Sequence, residues 1–205
     1  MNTQRLTQVT VGIIALAILA VIIFNRVSSA GPAEIDLSSQ PRLGSENASV
    51  HVVLFEDFLC PSCATFTEQI FPVVKNEYGD HPEVAFYYVD FPVIPGSTGA
   101  ATVAECVYRQ DNDAFWELYP VFMRSQQQIT SAANALELAG EYAPGIDRDE
   151  LVSCTEDPAT LAVVQADGQM AAQAGATGTP SVFVNGRNVS SSANAINNAI
   201  AAALP

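Results

Sequence analysis

The chain has 205 residues, 49% of them hydrophobic and 15% charged, with a net charge of −14, a length that suits one domain plus an appendage. All 22 acidic residues follow Ala30 with only six of the eight basic ones, so the chain beyond that point carries −16. Such a balance excludes nucleic acid and anionic lipid as partners, because both repel it.

Val9 to Phe24 is an uncharged apolar run flanked by Arg5 and Arg26. It is slightly short for a spanning helix of about 20 residues and long for a signal-peptide core of about 7 to 15. We read residues 1–26 as an uncleaved signal anchor, with Ser28-Ser29-Ala30 leaving a signal peptide as the alternative. Either reading exports the rest of the chain. Four cysteines agree with that, since disulfides persist in oxidising compartments. Residues 27–47, rich in Ser, Pro, Gly and Ala, read as a linker.

The folded part is expected over 48–205. His51 to Phe58 reads as a strand buried on both faces. It delivers Cys60-Pro61-Ser62-Cys63 to the start of a helix that runs to Tyr78, with a kink expected at Pro72. Glu83 to Asp90 reads as a second strand, parallel to the first. Helical patterns follow over Ser97–Arg109, Asp113–Arg124, Ser131–Tyr142, Asp147–Cys154 and from Asp157-Pro158 to about Ala174. Ser181–Val184, Asn185-Gly186 and Arg187–Val189 then read as a hairpin, because Asn-Gly takes the positive φ angles of a tight turn. Ser192–Leu204 closes the chain as a helix. The fold class is therefore α/β with a helical block at about 97–174.

The chemistry concentrates at Cys60 and Cys63. A thiolate is the species that attacks a disulfide, and a helix N-terminus stabilises it through unpaired N–H groups and the positive end of the dipole. Cys60 is thus the expected nucleophile, with Pro61 suited to the first helical position. Cys63, one turn on, is placed to resolve a mixed disulfide. The same spacing serves half of a zinc site, but Cys106 and Cys154 are far apart in sequence and His51 and His81 lie near neither, so no metal is expected. A Cu(I)-binding module using Cys60 and Cys63 is the alternative from another class; no Met-rich or His-rich stretch supports it. A binding chaperone with incidental redox activity is a further alternative.

Cys60-Pro61-Ser62-Cys63 at a strand-to-helix junction, Thr179-Pro180 before the hairpin, and a helical block between the two halves resemble the DsbA-like branch of the thioredoxin superfamily. The resemblance spans roughly residues 45–204. It implies a thioredoxin fold with an inserted helical subdomain, and a thiol-disulfide oxidoreductase that needs no cofactor. It implies a cis Thr179-Pro180 bond facing the cysteines, with Thr179 offering backbone to a substrate strand. Unfolded or reduced exported proteins would be the substrates of a monomer on the extracytoplasmic side of the cell membrane, and a quinone-linked membrane partner would reoxidise it. A reductase or isomerase of the same fold is the alternative within this chemistry. Cys106 and Cys154 are expected to form a structural disulfide.

Two departures from the family pattern stand out. Many relatives carry an acid six positions before the first cysteine, where this chain has Leu54; Glu56 and Asp57 stand closer. Strand alternation sends those two to opposite faces, so at most one approaches the sulfurs. Solvent-facing or capping roles serve both equally well, and neither is placed in the catalytic set. Ser62 stands where the strongly oxidising member has His, which implies a less depressed Cys60 pKa.

Overall fold

A computed structural model describes residues 32–143 and 145–205, together with Ile13 and Ile18 as helical positions. Most of the proposed N-terminal span lies outside the described residues. Among those described, no helix is long and apolar enough to cross a membrane.

Residues 34–205 form one compact unit. Its strands are β1 (Arg42–Gly44), β2 (Val50–Glu56), β3 (Val84–Asp90), β4 (Ser181–Val184) and β5 (Arg187–Val189). They make one sheet in the order β1-β3-β2-β4-β5. β2 and β3 run parallel, as a strand-helix-strand unit requires, and every other pairing is antiparallel. β2 lies at the centre, apolar on both faces. Val50, Val52 and Leu54 join the main core, while Phe55 packs edge-on against Phe183 at 5.3 Å. The central strand is what brings the chain to Cys60.

The crossover from β2 to β3 is a helix in three pieces: α1 (Pro61–Thr65), a π-helical turn (Phe66–Ile70) and α2 (Phe71–Tyr78). The disturbance expected at Pro72 falls ahead of it. Pro72 has no N–H and its ring crowds the preceding turn; the widened π turn absorbs this and buries two consecutive residues, Phe66 and Thr67. The helical block comprises α3 (Ser97–Gln110), α4 (Asn112–Arg124), α5 (Ala132–Tyr142), α6 (Arg148–Glu156) and α7 (Pro158–Ala174), and α8 (Ala193–Ala203) ends the chain. α4 begins one residue before the expected start, because Asp111 is its cap and accepts from the N–H groups of Asp113 and Ala114. α7 packs on β3, and α2 on α8. In the hairpin, Asn185 and Gly186 take φ of 45° and 73°.

The linker expected over 27–47 is too long. Arg42–Gly44 pairs with β3 as an edge strand, and Asn112 fastens it by exchanging two hydrogen bonds with the Arg42 backbone. Just before it, buried Gln40 donates to Asp167 of α7 at 2.7 Å. Three residues at a sheet edge carry too little apolar pattern to reveal a strand in the sequence.

Cys106 of α3 and Cys154 of α6 are joined by a disulfide, pinning the first helix of the block to its fourth.

Candidate active site

β2 ends at Glu56, and Asp57-Phe58-Leu59 turn the chain into α1. Phe58 is buried and stacks on Tyr88 at 5.0 Å, which anchors the turn to the core. Asp57 is buried too, not exposed to solvent. Its Oδ1 accepts from the Leu59 N–H, and its Oδ2 accepts from the N–H groups of Val93 and Ile94 and from the Ser97 hydroxyl. It therefore ties the loop after β3 to the start of the active helix.

Cys60 is the N-cap of α1 and Pro61 its first residue. The Cys60 carbonyl accepts from the Cys63 and Ala64 N–H groups and from the Gln126 side chain at 2.8 Å. Both cysteines are free thiols, Cys60 at 7% exposure and Cys63 at 0%. Ser62 is exposed. The Thr179-Pro180 bond is cis, and the Cys60 thiol donates to the Thr179 carbonyl at 3.4 Å. The structure thus brings Cys60, Pro61, Cys63, Thr179 and Pro180 together, while Cys106 and Cys154 sit apart in the helical block.

The two thiols are tuned in opposite directions. Burial pushes Cys60 up, but hydrogen bonds from the Thr179 side chain and from the Cys63 and Ser62 N–H groups outweigh it, so its pKa is lowered. In the thiol form the Thr179 hydroxyl is buried with no hydrogen-bond partner among the described residues, which leaves it free to donate once a thiolate forms beside it. Cys63 is pushed far up, first by burial and then by the nearby charge of Glu56. A thiolate is favoured at Cys60 relative to an ordinary cysteine and disfavoured at Cys63.

Glu56 is the residue that the sequence reading left out. It is fully buried, accepts from the Tyr119 hydroxyl at 2.8 Å through Oε2, and has Oε1 without a partner. Burial raises its pKa to about 8, against the lowering effect of the Tyr119 hydrogen bond, and the charge of Cys60 raises it further. At neutral pH it is a carboxylic acid coupled to both sulfurs. Gln126 and Asp57 were missed as well: Gln126 acquires its role when the helical block folds over α1, and Asp57 when the loop after β3 closes on it. Among the described residues, no three His, Cys, Asp or Glu side chains converge as a metal-binding group.

A family model described as Thioredoxin matches residues 37–202. The probable disulfide bond formation protein D of Bacillus anthracis is 32% identical over 185 residues, covering 85% of each chain. The chain belongs to the DsbA-like branch of the thioredoxin superfamily. The disulfide bond formation protein D of Bacillus subtilis is 30% identical, over 73% of this chain and 69% of its own. The crystal structure of oxidised BdbD from Bacillus subtilis aligns with a TM-score of 0.76 at 25% identity, over 85% of this chain and 97% of that one. DsbA of Chlamydia trachomatis shares the fold, with a TM-score of 0.70 at 22% identity over 79% and 90%. As a DsbA-like protein this chain is a protein thiol-disulfide oxidoreductase, and its buried acid stands four residues before the first cysteine instead of six.

Proposed function

We propose that this oxidoreductase introduces disulfides into reduced exported proteins through the Cys60-Cys63 pair. The observation that carries this reading is the opposite tuning of the two thiols. A pair whose first thiolate is stabilised and whose second thiol is kept protonated favours its reduced form, and so passes its disulfide on.

In the oxidised protein a substrate thiolate attacks Cys60 Sγ. The Cys60–Cys63 bond breaks, the electron pair goes to Cys63 Sγ, and the Glu56 carboxylic acid protonates that leaving thiolate. A second substrate thiolate then attacks the substrate sulfur of the mixed disulfide. Cys60 departs as a thiolate held by the N–H groups of α1 and the Thr179 hydroxyl. Two electrons pass from two substrate thiols to the enzyme disulfide, and no cofactor takes part in the exchange. The substrate backbone is taken to pair beside Thr179 and Pro180 as an added strand.

The same proposal places the domain outside the cytoplasm, held as a monomer by the run Val9–Phe24 as a single-pass anchor, with a quinone-linked membrane partner restoring the disulfide. Relatives named for disulfide bond formation support the direction of electron flow. The test is trapping. Cys63→Ser accumulates a mixed disulfide with an unfolded substrate whose thiols are first capped as glutathione disulfides, glutathione leaving as the thiol, and Cys60→Ser accumulates none. Equal trapping by the two variants would show that Cys60 is not the nucleophile.

A further inference from the structure

A carboxylic acid sealed in a core needs a route by which its proton is replaced. The dithiol side of Glu56 faces Cys60 and Cys63, and Tyr88 and Tyr119 are the other titratable groups coupled to it. On the remaining side the buried polar atoms form a chain: Thr67 Oγ1 donates to Tyr119 Oη at 2.8 Å, and Tyr119 Oη donates to Glu56 Oε2 at 2.8 Å. Glu56, Tyr119 and Thr67 are all buried. Yet Thr67 and Tyr119 both line a cleft of about 190 Å³, whose other walls are Phe71, Pro72, Lys75, Trp116 and Pro120. Neither Cys60 nor Thr179 lines it. Trp116, in its wall, has a buried Nε1 donor with no partner among the described residues, which suits a cleft that admits water. The π turn that accommodates Pro72 is what places Thr67 in the core beside Tyr119, and such turns recur at functional sites.

We infer that Thr67 and Tyr119 are the proton conduit of Glu56, opening to solvent at the cleft between α2 and α4 and separate from the face where substrate exchanges disulfides. The inference rests on Glu56 as the proton donor to Cys63. Once Glu56 has given up its proton, a water in the cleft passes a proton to Thr67 Oγ1 and its hydroxide is neutralised in bulk solvent, while the Thr67 proton passes to Tyr119 Oη and the Tyr119 proton to Glu56 Oε2. Only O–H bonds break and form, one proton enters from solvent, and no electron moves. The donors already point inward along this path.

Time-resolved infrared spectroscopy of the Glu56 carboxyl band, after mixing the oxidised protein with excess dithiol, tests it. In the unaltered protein the band bleaches as the disulfide opens and then recovers. Thr67→Val still shows the bleach as the disulfide opens but slows recovery at least roughly tenfold, Tyr119→Phe slows it likewise, and Thr67→Ser restores the original rate. Recovery in both Thr67→Val and Tyr119→Phe as fast as in the unaltered protein would overturn the conduit while leaving Glu56 as donor. Absence of any bleach in the unaltered protein would overturn both.

Discussion

At the residue scale the site is a division of labour between two sulfurs one helical turn apart. Cys60 gains the open N–H groups of α1 and the Thr179 hydroxyl, which outweigh its burial; at Cys63 burial and the neighbouring acid outweigh the lowering effect of the Asp57 backbone and the same hydroxyl. Without a histidine at position 62, the thiolate is held by dipoles alone, which argues for a milder oxidant than a charged neighbour would make. In the proposed exchange Glu56 supplies the proton that lets Cys63 leave, and this sets the expected pH behaviour. The acid form acts, and it is lost as pH rises through about 8, so opening of the disulfide by a substrate thiolate, corrected for the thiolate fraction of the substrate, slows above that pH. Stopped-flow rates should show this decline. Glu56→Gln should be slower by roughly 10²-fold below it and flat through it. A decline that persists in Glu56→Gln would assign the titration to another group.

At the element scale, what was legible in the sequence was local. Hydrophobic continuity marked β2, Pro61 marked the helix start, Asn185-Gly186 marked the hairpin, and Pro158 opened α7 where expected. What was not legible depends on partners far away in the chain. β1 exists because β3 and Asn112 hold it. Glu56 is buried because Tyr119, on α4, covers it, and a residue at the end of a strand cannot reveal that cover from its neighbours. The π turn was visible only as trouble at Pro72, not as the device that buries Thr67. The helical block supplies both Tyr119 and Gln126 to the site, so its internal cross-link matters. Closing a loop of 48 residues contributes about 4 kcal/mol on the chain-entropy account. Changing both Cys106 and Cys154 to Ser should lower the urea-derived stability by that order, while mixed-disulfide formation at Cys60 persists. Loss of exchange in a still-folded double variant would instead give this pair a redox role.

At the scale of the whole molecule, an acidic protein has buried acids that prefer to stay protonated. Burial raises Glu56 to about 8, and it raises Asp167, hydrogen-bonded to Gln40, to about 7. Both folded values exceed the ordinary 4.5 and 3.8, so the folded state binds more protons than the unfolded one across that window. The stabilisation is complete below about pH 4 and lost as pH rises to about 8. The urea midpoint of the reduced protein should therefore fall between about pH 5 and pH 9, and fall less in Glu56→Gln. A midpoint that rises over that range would show these carboxyls to be ionised and well paired in the fold. The central claim is that the dithiol is built to give its disulfide away, and the equilibrium reduction potential of Cys60-Cys63 in glutathione buffers tests it most directly. The stabilised Cys60 thiolate predicts a value above about −200 mV; a value near −270 mV, roughly that of thioredoxin, would contradict it, because such a pair delivers electrons to its substrates.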